Sequence, residues 1–487
     1  IAVLANFSMH YFGDQALSAD YFGLFAEGLK RQLVPEAIDG VPPFVGMMSH
    51  GCSGDIWRRD YTQPLPSADE DFTISSYADG LIALVVEAYA GIEYDSDADL
   101  AMAESRFQLD YRVPDKQRLE WAQRIADEIG DRLPETSTEV YALEQIILHE
   151  RQSTEVVIQA LRIGDMAIAT TPTETYALTG LKIKAASPLE QTMVLDLTNG
   201  GDGYIPPPEQ HRLGGYNTWP ARSAGLEIQA EPKMTETAIQ LLEQVTGRPR
   251  NDGRQSTGPG AEAVLALEPV AYWRMDETAA PWATDSSGHN REAIYEDGVV
   301  YYLAGPRSDL FCADGEVNRA PHFAGERMVA SAAGLGEQYS LSMWIWNGMP
   351  VEAREVTGWF LSRGRDFVLD DDGDHLGIGG TNGHSGRLVF LHGSNDNSEQ
   401  LIAGDTQIER WTWNHIVYVR DGESVRIYLN GAPEMELTAP AGRLSNLPRL
   451  FLGGRCDNQF NWEGRMDEVS LFDRSLSADE IARLSAD

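Results

Sequence analysis

The sequence predicts two folded parts of different class, a mixed α/β domain followed by an all-β sandwich. Three observations carry this. In residues 1–247, apolar runs of strand length alternate with stretches whose apolar residues recur every three or four positions. In GRPRNDGRQSTGPGAEA, residues 247–263, Gly, Pro, Arg, Asn and Ser displace that periodicity, so residues 248–262 read as a linker. From residue 263 onward, short β-rich runs and hairpin turns follow one another.

The elements follow in order. IAVLANFSMH reads as a buried strand inside a domain. Having neither an initiator Met nor a basic leader, it gives the expectation that the chain starts mid-domain. Ser18 is placed to N-cap a helix on which Phe25, Leu29 and Leu33 share a face. A second helix is expected over Ile74–Tyr89, with Tyr77, Leu81 and Val85 aligned. A third follows Pro114, with Leu119, Ala122, Ile125 and Ile129 inward. EVVIQALRIGDMAIATTP reads as two strands joined at Gly164-Asp165, and helices are expected over 175–186 and 235–246. In the second part SLSMWIW, WNHIVYVRDGESVRIYLNGAPEMEL and RLFLGG are strand-like, with hairpin turns at Asp421-Gly422 and Asn430-Gly431. DDDGDHLGIGG lacks the calcium-loop spacing and reads as a hairpin tip. Ser477 and Glu480 form a capping box on a final helix.

Composition narrows the function. The 487 residues carry 75 acidic against 38 basic side chains, a formal charge of −37. Such a chain is repelled by nucleic-acid backbones and by anionic bilayers. No run approaches the roughly 18 apolar residues of a membrane span, so it is not an integral membrane protein. Cys52, Cys312 and Cys456 are too few for a disulfide scaffold; Cys312 and Cys456 share a domain, and pairing and free thiols both remain open.

Familiar catalytic motifs are absent: no G-x-S-x-G, H-E-x-x-H, Walker loop or G-x-G-x-x-G occurs. MSHGCSGD offers His50, Cys52 and Ser53, a minor candidate for a nucleophile site. A better candidate is a metal site assembled from distant strand ends and loops. His10 ends the first strand, Glu174 follows MAIATTPT, and Tyr204 follows TMVLDLTNGGDG. Taken singly, each has a structural role as its alternative: a bonded histidine, a helix-start glutamate, a packed tyrosine.

NFSMH, LRIGDMAIATTPTETYALTG and GGDGYIPPPEQHRLGGY together resemble segments of the neutral/alkaline (non-lysosomal) ceramidases, zinc-dependent amidases. The resemblance covers residues 1–247 as the later part of a catalytic domain, a hydrolase-like α/β domain incomplete at its N-terminus. It implies zinc ligands at His10, Glu174 and Tyr204 and a catalytic tyrosine twelve residues on, at Tyr216. It further implies that the zinc polarises an amide carbonyl while Tyr216 donates to the oxyanion or the leaving amine. Two departures stand out. A further zinc-ligand histidine of the family falls upstream of Ile1, and Trp57 occupies the position of the family's active-site serine. The second implies an amide or ester substrate other than ceramide, with Trp57 and His211 as substrate-binding candidates.

AYWRMDE, DSSGHNREA, SLSMWIW, WNHIVYVRDGESVRIYLNG and GRMDEVSLFDRSLSADEIARL resemble the laminin-G-like (concanavalin A-like) jelly rolls across residues 263–487. This resemblance implies that Asp285 and Asp467 are candidate ligands of a structural Ca2+, and that the domain binds a glycan or a surface protein. The expectation is therefore a zinc-dependent hydrolase of a linear N-acyl amide carrying a lectin-like domain, secreted, periplasmic or at the cell surface. The alternative is a degenerate, non-catalytic hydrolase domain in an extracellular glycan- or protein-binding protein.

Overall fold

A computed structural model describes residues 2–13, 15–34, 42–59, 73–94, 96–313, 315–395 and 400–485. The chain divides into two compact units, 1–253 and 254–487.

The first unit opens with β1 (Ala2–Phe7), α1 (Asp20–Leu33) and β2 (Val45–His50). β1 and β2 run parallel in register from Ala2↔Val45 to Phe7↔His50. β1 alternates exposed and half-buried residues instead of being fully buried, because only one face is covered, by Tyr21, Phe25 and Leu29 of α1 and their neighbours. The N-cap of α1 is Ala19, not Ser18. Ser18 Oγ accepts from Asp20 N at 3.0 Å, one residue outside the helix start. α2 (Ile74–Ala90) begins with a capping box between Thr73 and Ser76.

β3 (Leu100–Asp110) leads to α3 (Lys116–Ile129), capped by Asp115 just after Pro114. α4 (Ser137–Arg151) was not foreseen, although Thr136 and Glu139 make a full capping box at its start. Then come β4 (Ser153–Ile163), β5 (Met166–Thr170), β6 (Glu174–Thr175), α5 (Ala177–Ala186), β7 (Gln191–Leu195), β8 (Tyr204–Ile205), α6 (Gln210–Leu213) and α7 (Ala230–Thr246). Strands β3, β4, β5 and β7 form one sheet in that order, with only the β5–β7 pair parallel. Val156, Ile158 and Ala160 of β4 share a core with Met234, Ala238 and Leu242 of α7. Burying a side chain such as Leu242 contributes roughly 2 kcal/mol.

Residues 248–262 are not a free linker. Arg250 reaches Glu236 at 2.8 Å and Glu243 at 2.7 Å, and Asn251 N donates to Ala186 O at 3.1 Å, so this end folds onto α7 and α5. On the other side Pro259–Leu265 forms a helix, α8, within the second unit. The boundary between the two units falls inside this stretch, which is largely exposed but tied down at both ends.

The second unit is a sandwich of two antiparallel sheets. One eight-stranded sheet runs from Trp282–Ala283 at one edge to Ile402–Gln407 at the other. The facing sheet runs from Val299–Ala304 to Ala432–Thr438, with Glu463–Phe472 and Gln338–Asn347 adjacent near its middle. Tyr272, Val417, Val419 and Phe472 on that sheet pack beneath α8, α9 (Ser308–Phe311) and α10 (Ala478–Leu484). At Asn430-Gly431 both φ angles are positive, +49° and +79°, as a tight two-residue hairpin between Leu429 and Ala432 demands. Only the first part of DDDGDHLGIGG is a turn; Asp374–Gly379 is a strand. Cys52, Cys312 and Cys456 are all free and buried. Among the described residues no helix is long and apolar enough to cross a membrane.

Candidate functional site

The short strands β6 and β8 pair in parallel, setting Glu174 opposite Tyr204. Tyr204 N donates to Ser223 O at 2.7 Å and Glu174 N to Gly203 O at 2.8 Å. Gly203 makes this approach possible: its φ is +77°, and a Cβ there would lie 2.3 Å from the Ser223 backbone. Pro206 and Pro207 are buried, so the triple proline continues the floor of the unit instead of spanning solvent. The chain then turns through α6 and returns Tyr216, in a short 3-10 turn, to the face of Tyr204.

Four side chains from distant segments meet here. His10 Nε2 lies 2.8 Å from the Tyr204 hydroxyl and 3.4 Å from Glu174 Oε2, and the Tyr216 hydroxyl donates to that of Tyr204. His10 Nδ1 is buried with no partner among the described residues. Burial, then the Tyr216 hydroxyl and the Glu174 charge, push the Tyr204 phenol well above its ordinary range. Burial likewise raises Tyr216.

A histidine nitrogen, a carboxylate oxygen and a protonated phenol thus lie within hydrogen-bond or ion-pair reach of one another through His10. In tetrahedral zinc sites ligand atoms stand about 3.3 Å apart, so this spacing fits three ligands of such an ion. Among the described residues no three of His, Cys, Asp and Glu gather as a metal group. The cluster has only His10 and Glu174 of those types, and phenols supply the rest.

Glu174 also lines a cleft of about 750 Å³ with Tyr141, Glu144 and Arg222. Arg222 Nη2 and Glu144 Oε1 pair at 2.6 Å on its wall. Trp57 stands edge-on to His10, ring centres 6.1 Å apart, with the Arg58 guanidinium 4.3 Å above its ring. His211 does not join the cluster. Its Nδ1 lies 3.4 Å from Arg112 Nη1, and burial together with that guanidinium lowers it to about 4.

Arg112 is the functional residue the sequence reading missed. Its guanidinium donates to the carbonyls of Thr218 (2.9 Å), Leu226 (3.0 Å) and Ala224, clamping the loop that presents Tyr216. A lone arginine after a strand carries no sequence signal for this, because its acceptors are backbone atoms more than a hundred residues away.

The serine and thiol at MSHGCSGD are not activated. His50 Nε2 lies 2.7 Å from the Met9 carbonyl, which can only accept, so the proton sits on that nitrogen. Ser53 Oγ, 2.8 Å from the same nitrogen, therefore faces a donor and not a base. Asp196 Oδ1 is 3.4 Å from His50 Nδ1, and burial pushes Asp196 up to about 7. Cys52 is buried and its thiol raised far out of the reactive range by the same cause. With Tyr21, whose hydroxyl also donates to Met9 O at 3.0 Å, this group fixes the backbone beside His10.

In the second unit, Asp285 accepts from the backbone N–H groups of Tyr272, Ser287 and Arg291 at 2.8–2.9 Å, which builds its turn. Asp467 is fully buried; Oδ2 accepts from Asn318 at 2.7 Å and Oδ1 has no partner among the described residues. Burial and the neighbouring Glu468 hold its carboxyl well above the carboxylate range.

Residues 328–482 match the model of the laminin G type described as the concanavalin A-like lectin/glucanases superfamily, and form a jelly roll of that kind. The match lies wholly in the second unit. No curated protein matches the chain. Among solved structures, domain 4 of AbnA, a GH43 extracellular arabinanase from Geobacillus stearothermophilus in complex with arabinotriose, is 18% identical. That alignment covers 45% of this chain and 98% of the other, with a TM-score of 0.33. A Trypanosoma rangeli sialidase is 14% identical over 44% of this chain and 32% of its own, with a TM-score of 0.33. For a structure on cell entry of botulinum neurotoxin type C the values are 16%, 46%, 52% and 0.32. The chain therefore spans about a third of the sialidase and half of the toxin structure.

Proposed function

We propose that the first unit is a zinc-dependent hydrolase of a linear amide, in a secreted or surface protein whose second unit is a lectin-like binding module. The observation that carries this reading is the convergence of His10 Nε2, Glu174 Oε2 and the Tyr204 hydroxyl within 2.8–3.4 Å. While the Tyr204 hydroxyl keeps its proton it can donate to His10 Nε2; a cation that displaced this proton would meet one nitrogen and two oxygen donors at the same point. Nitrogen and oxygen donors in this number suit zinc.

When bound, zinc supplies Lewis acidity that polarises the scissile carbonyl. The remaining work belongs to the chain. Tyr216 is half exposed and its hydroxyl donates to that of Tyr204. Turned to the substrate, that O–H donates to the developing oxyanion or to the leaving nitrogen, an effect of about 3 kcal/mol in comparable sites. Arg112 holds the Tyr216 loop so that this donor needs no reordering. The His50–Asp196 pair keeps the Met9 carbonyl, and so His10, in place. The second module would hold the enzyme on a glycan or a surface protein; calcium at Asp467 is a proposal for that unit, motivated by the unpartnered Oδ1.

Calorimetric titration of zinc into the metal-free chain tests the reading. One ion per chain, lost in His10→Ala and in Glu174→Gln, is expected. Absence of binding to the chain itself overturns it and leaves a non-catalytic binding protein.

A further inference from the structure

The site is bordered by exposed aromatic side chains, of which Tyr11, Trp57 and Trp219 have no part in the hydrolytic cluster. Tyr11 is 61% exposed, Trp57 39%, Tyr216 52% and Trp219 49%. They are linked through His10 and Tyr204. Tyr11 stacks on His10 with ring centres 6.0 Å apart, and Trp57 stands edge-on to the same ring. Tyr204 joins His10 to Tyr216 at 5.1 Å, and Trp219 follows Tyr216 and meets the cleft residue Tyr141 edge-to-face at 5.5 Å. Large aromatic rings left this open around a polar site mark a binding surface.

The cleft behind the rim decides what that surface takes. Its described walls are mixed, with Glu135, Ser137, Glu144, Glu174 and Arg222 beside Val140 and Tyr141. A long alkyl chain would desolvate the Glu135 and Glu174 carboxylates beside the Glu144–Arg222 ion pair, at a cost of about 1–3 kcal/mol for each. An anionic ligand would meet three glutamates in a chain already strongly negative. A neutral ring with an apolar face for stacking and hydroxyls at its edge satisfies both the rim and the walls.

We infer that the rim binds the pyranose ring of an N-acylated amino sugar, so that the amide presented to His10, Glu174, Tyr204 and Tyr216 is the sugar's own N-acyl group. This rests on the amide-hydrolase reading and adds the substrate class to it. Hydrolysis transfers the oxygen of water to the acyl carbon and breaks the carbon–nitrogen bond. It releases a carboxylate and an amine, which takes up the proton, and the resulting ammonium is attracted by Glu135 and Glu144. Trp57 is then a specificity residue, stacking the sugar beside the metal-ligand histidine.

The experiment titrates N,N′,N″-triacetylchitotriose into the metal-free full chain, followed by tryptophan fluorescence and calorimetry, with N-palmitoylethanolamine as the lipid-amide control. Sugar binding is expected, weakened at least about tenfold in Trp219→Ala and in Trp57→Ala and less in Trp219→Phe. Both tryptophans are solvent-exposed, and circular dichroism checks that the variants fold. Equal affinity in the alanine variants would place the sugar elsewhere on the chain and overturn the inference, as would tighter binding of the lipid amide or no sugar binding at millimolar concentration. The zinc titration on the same preparations separates the two readings. Zinc without sugar removes only the substrate class, and sugar without zinc removes the hydrolase while the rim site stands.

Discussion

The two units place their buried histidines in different company. In the sandwich, His415 is bonded on both nitrogens, to Ser342 at 2.7 Å and Ser485 at 2.9 Å, and His375 bonds Ser362 at 2.8 Å through Nδ1 while its Nε2 is buried with no partner among the described residues. Burial drives these histidines down to about 3 and about 4, so they stay neutral and serve the fold. In the first unit, His10 has a carboxylate and a phenol on the same nitrogen and, among the described residues, no partner on the other. The difference lies in the neighbours: serines surround the sandwich histidines, whereas His10 shares one nitrogen between a carboxylate and a phenol. His50, one layer below His10, belongs by this measure with the sandwich histidines.

The comparison can be broken most sharply at Tyr216. Tyr216→Phe is expected to lower amide turnover about 10²–10³-fold with zinc affinity unchanged, because the hydroxyl acts on the reacting group. An unchanged rate would return the cluster to a structural role. The sandwich offers the next effect, of the opposite kind. Burial raises Glu277 from 4.5 to about 7, with its carboxyl held by Tyr295 and the Thr284 N–H. A raised acid favours the folded state fully below the unfolded pKa of 4.5, and this stabilisation is lost as pH rises through 7. Glu277 thus contributes on the order of 3 kcal/mol at low pH that is gone by pH 8. Between pH 5 and 8 the melting temperature of the sandwich in Glu277→Gln should fall less than in the parent. Calorimetric scans of both proteins show the difference directly. His375 and His415 act the other way, losing stability as pH falls below 6.5; being common to both proteins, they cancel.

Smaller still is His50→Gln, expected to destabilise the first unit by about 1–3 kcal/mol by leaving Met9 O and Asp196 without that partner. If His50 is structural, zinc binding should survive this change far better than His10→Ala. Smallest is Thr136→Ala at the start of α4, which removes a cap worth about 1 kcal/mol and should leave zinc binding untouched. Urea titration measures both.

Much of the fold was legible because it is local. The α2 start at Ile74, the Gly164-Asp165 hairpin, Asn430-Gly431 and the Ser477–Glu480 box each depend on a few neighbouring residues, and each formed where the sequence put it. The errors were local as well. Ser18 lost the cap of α1 by one residue, because Asp20 instead accepts from the N–H groups of Phe12 and Gly13 across the preceding loop. Residues 248–262 looked like a linker because composition cannot show that Arg250 finds Glu236 and Glu243.

By itself, the sequence determined the class of each unit, through periodicity, turn chemistry and charge. It also supplied the residues His10, Glu174, Tyr204 and Tyr216, through spacing and resemblance. Their meeting was decided by the tertiary structure: the parallel β6–β8 pair, the Gly203 approach to Ser223 and the Arg112 clamp. Those contacts join residues up to 114 positions apart, and the cluster they build brings together His10 and Tyr204, 194 apart. No local preference encodes them, since they form only when the cores beneath them are packed.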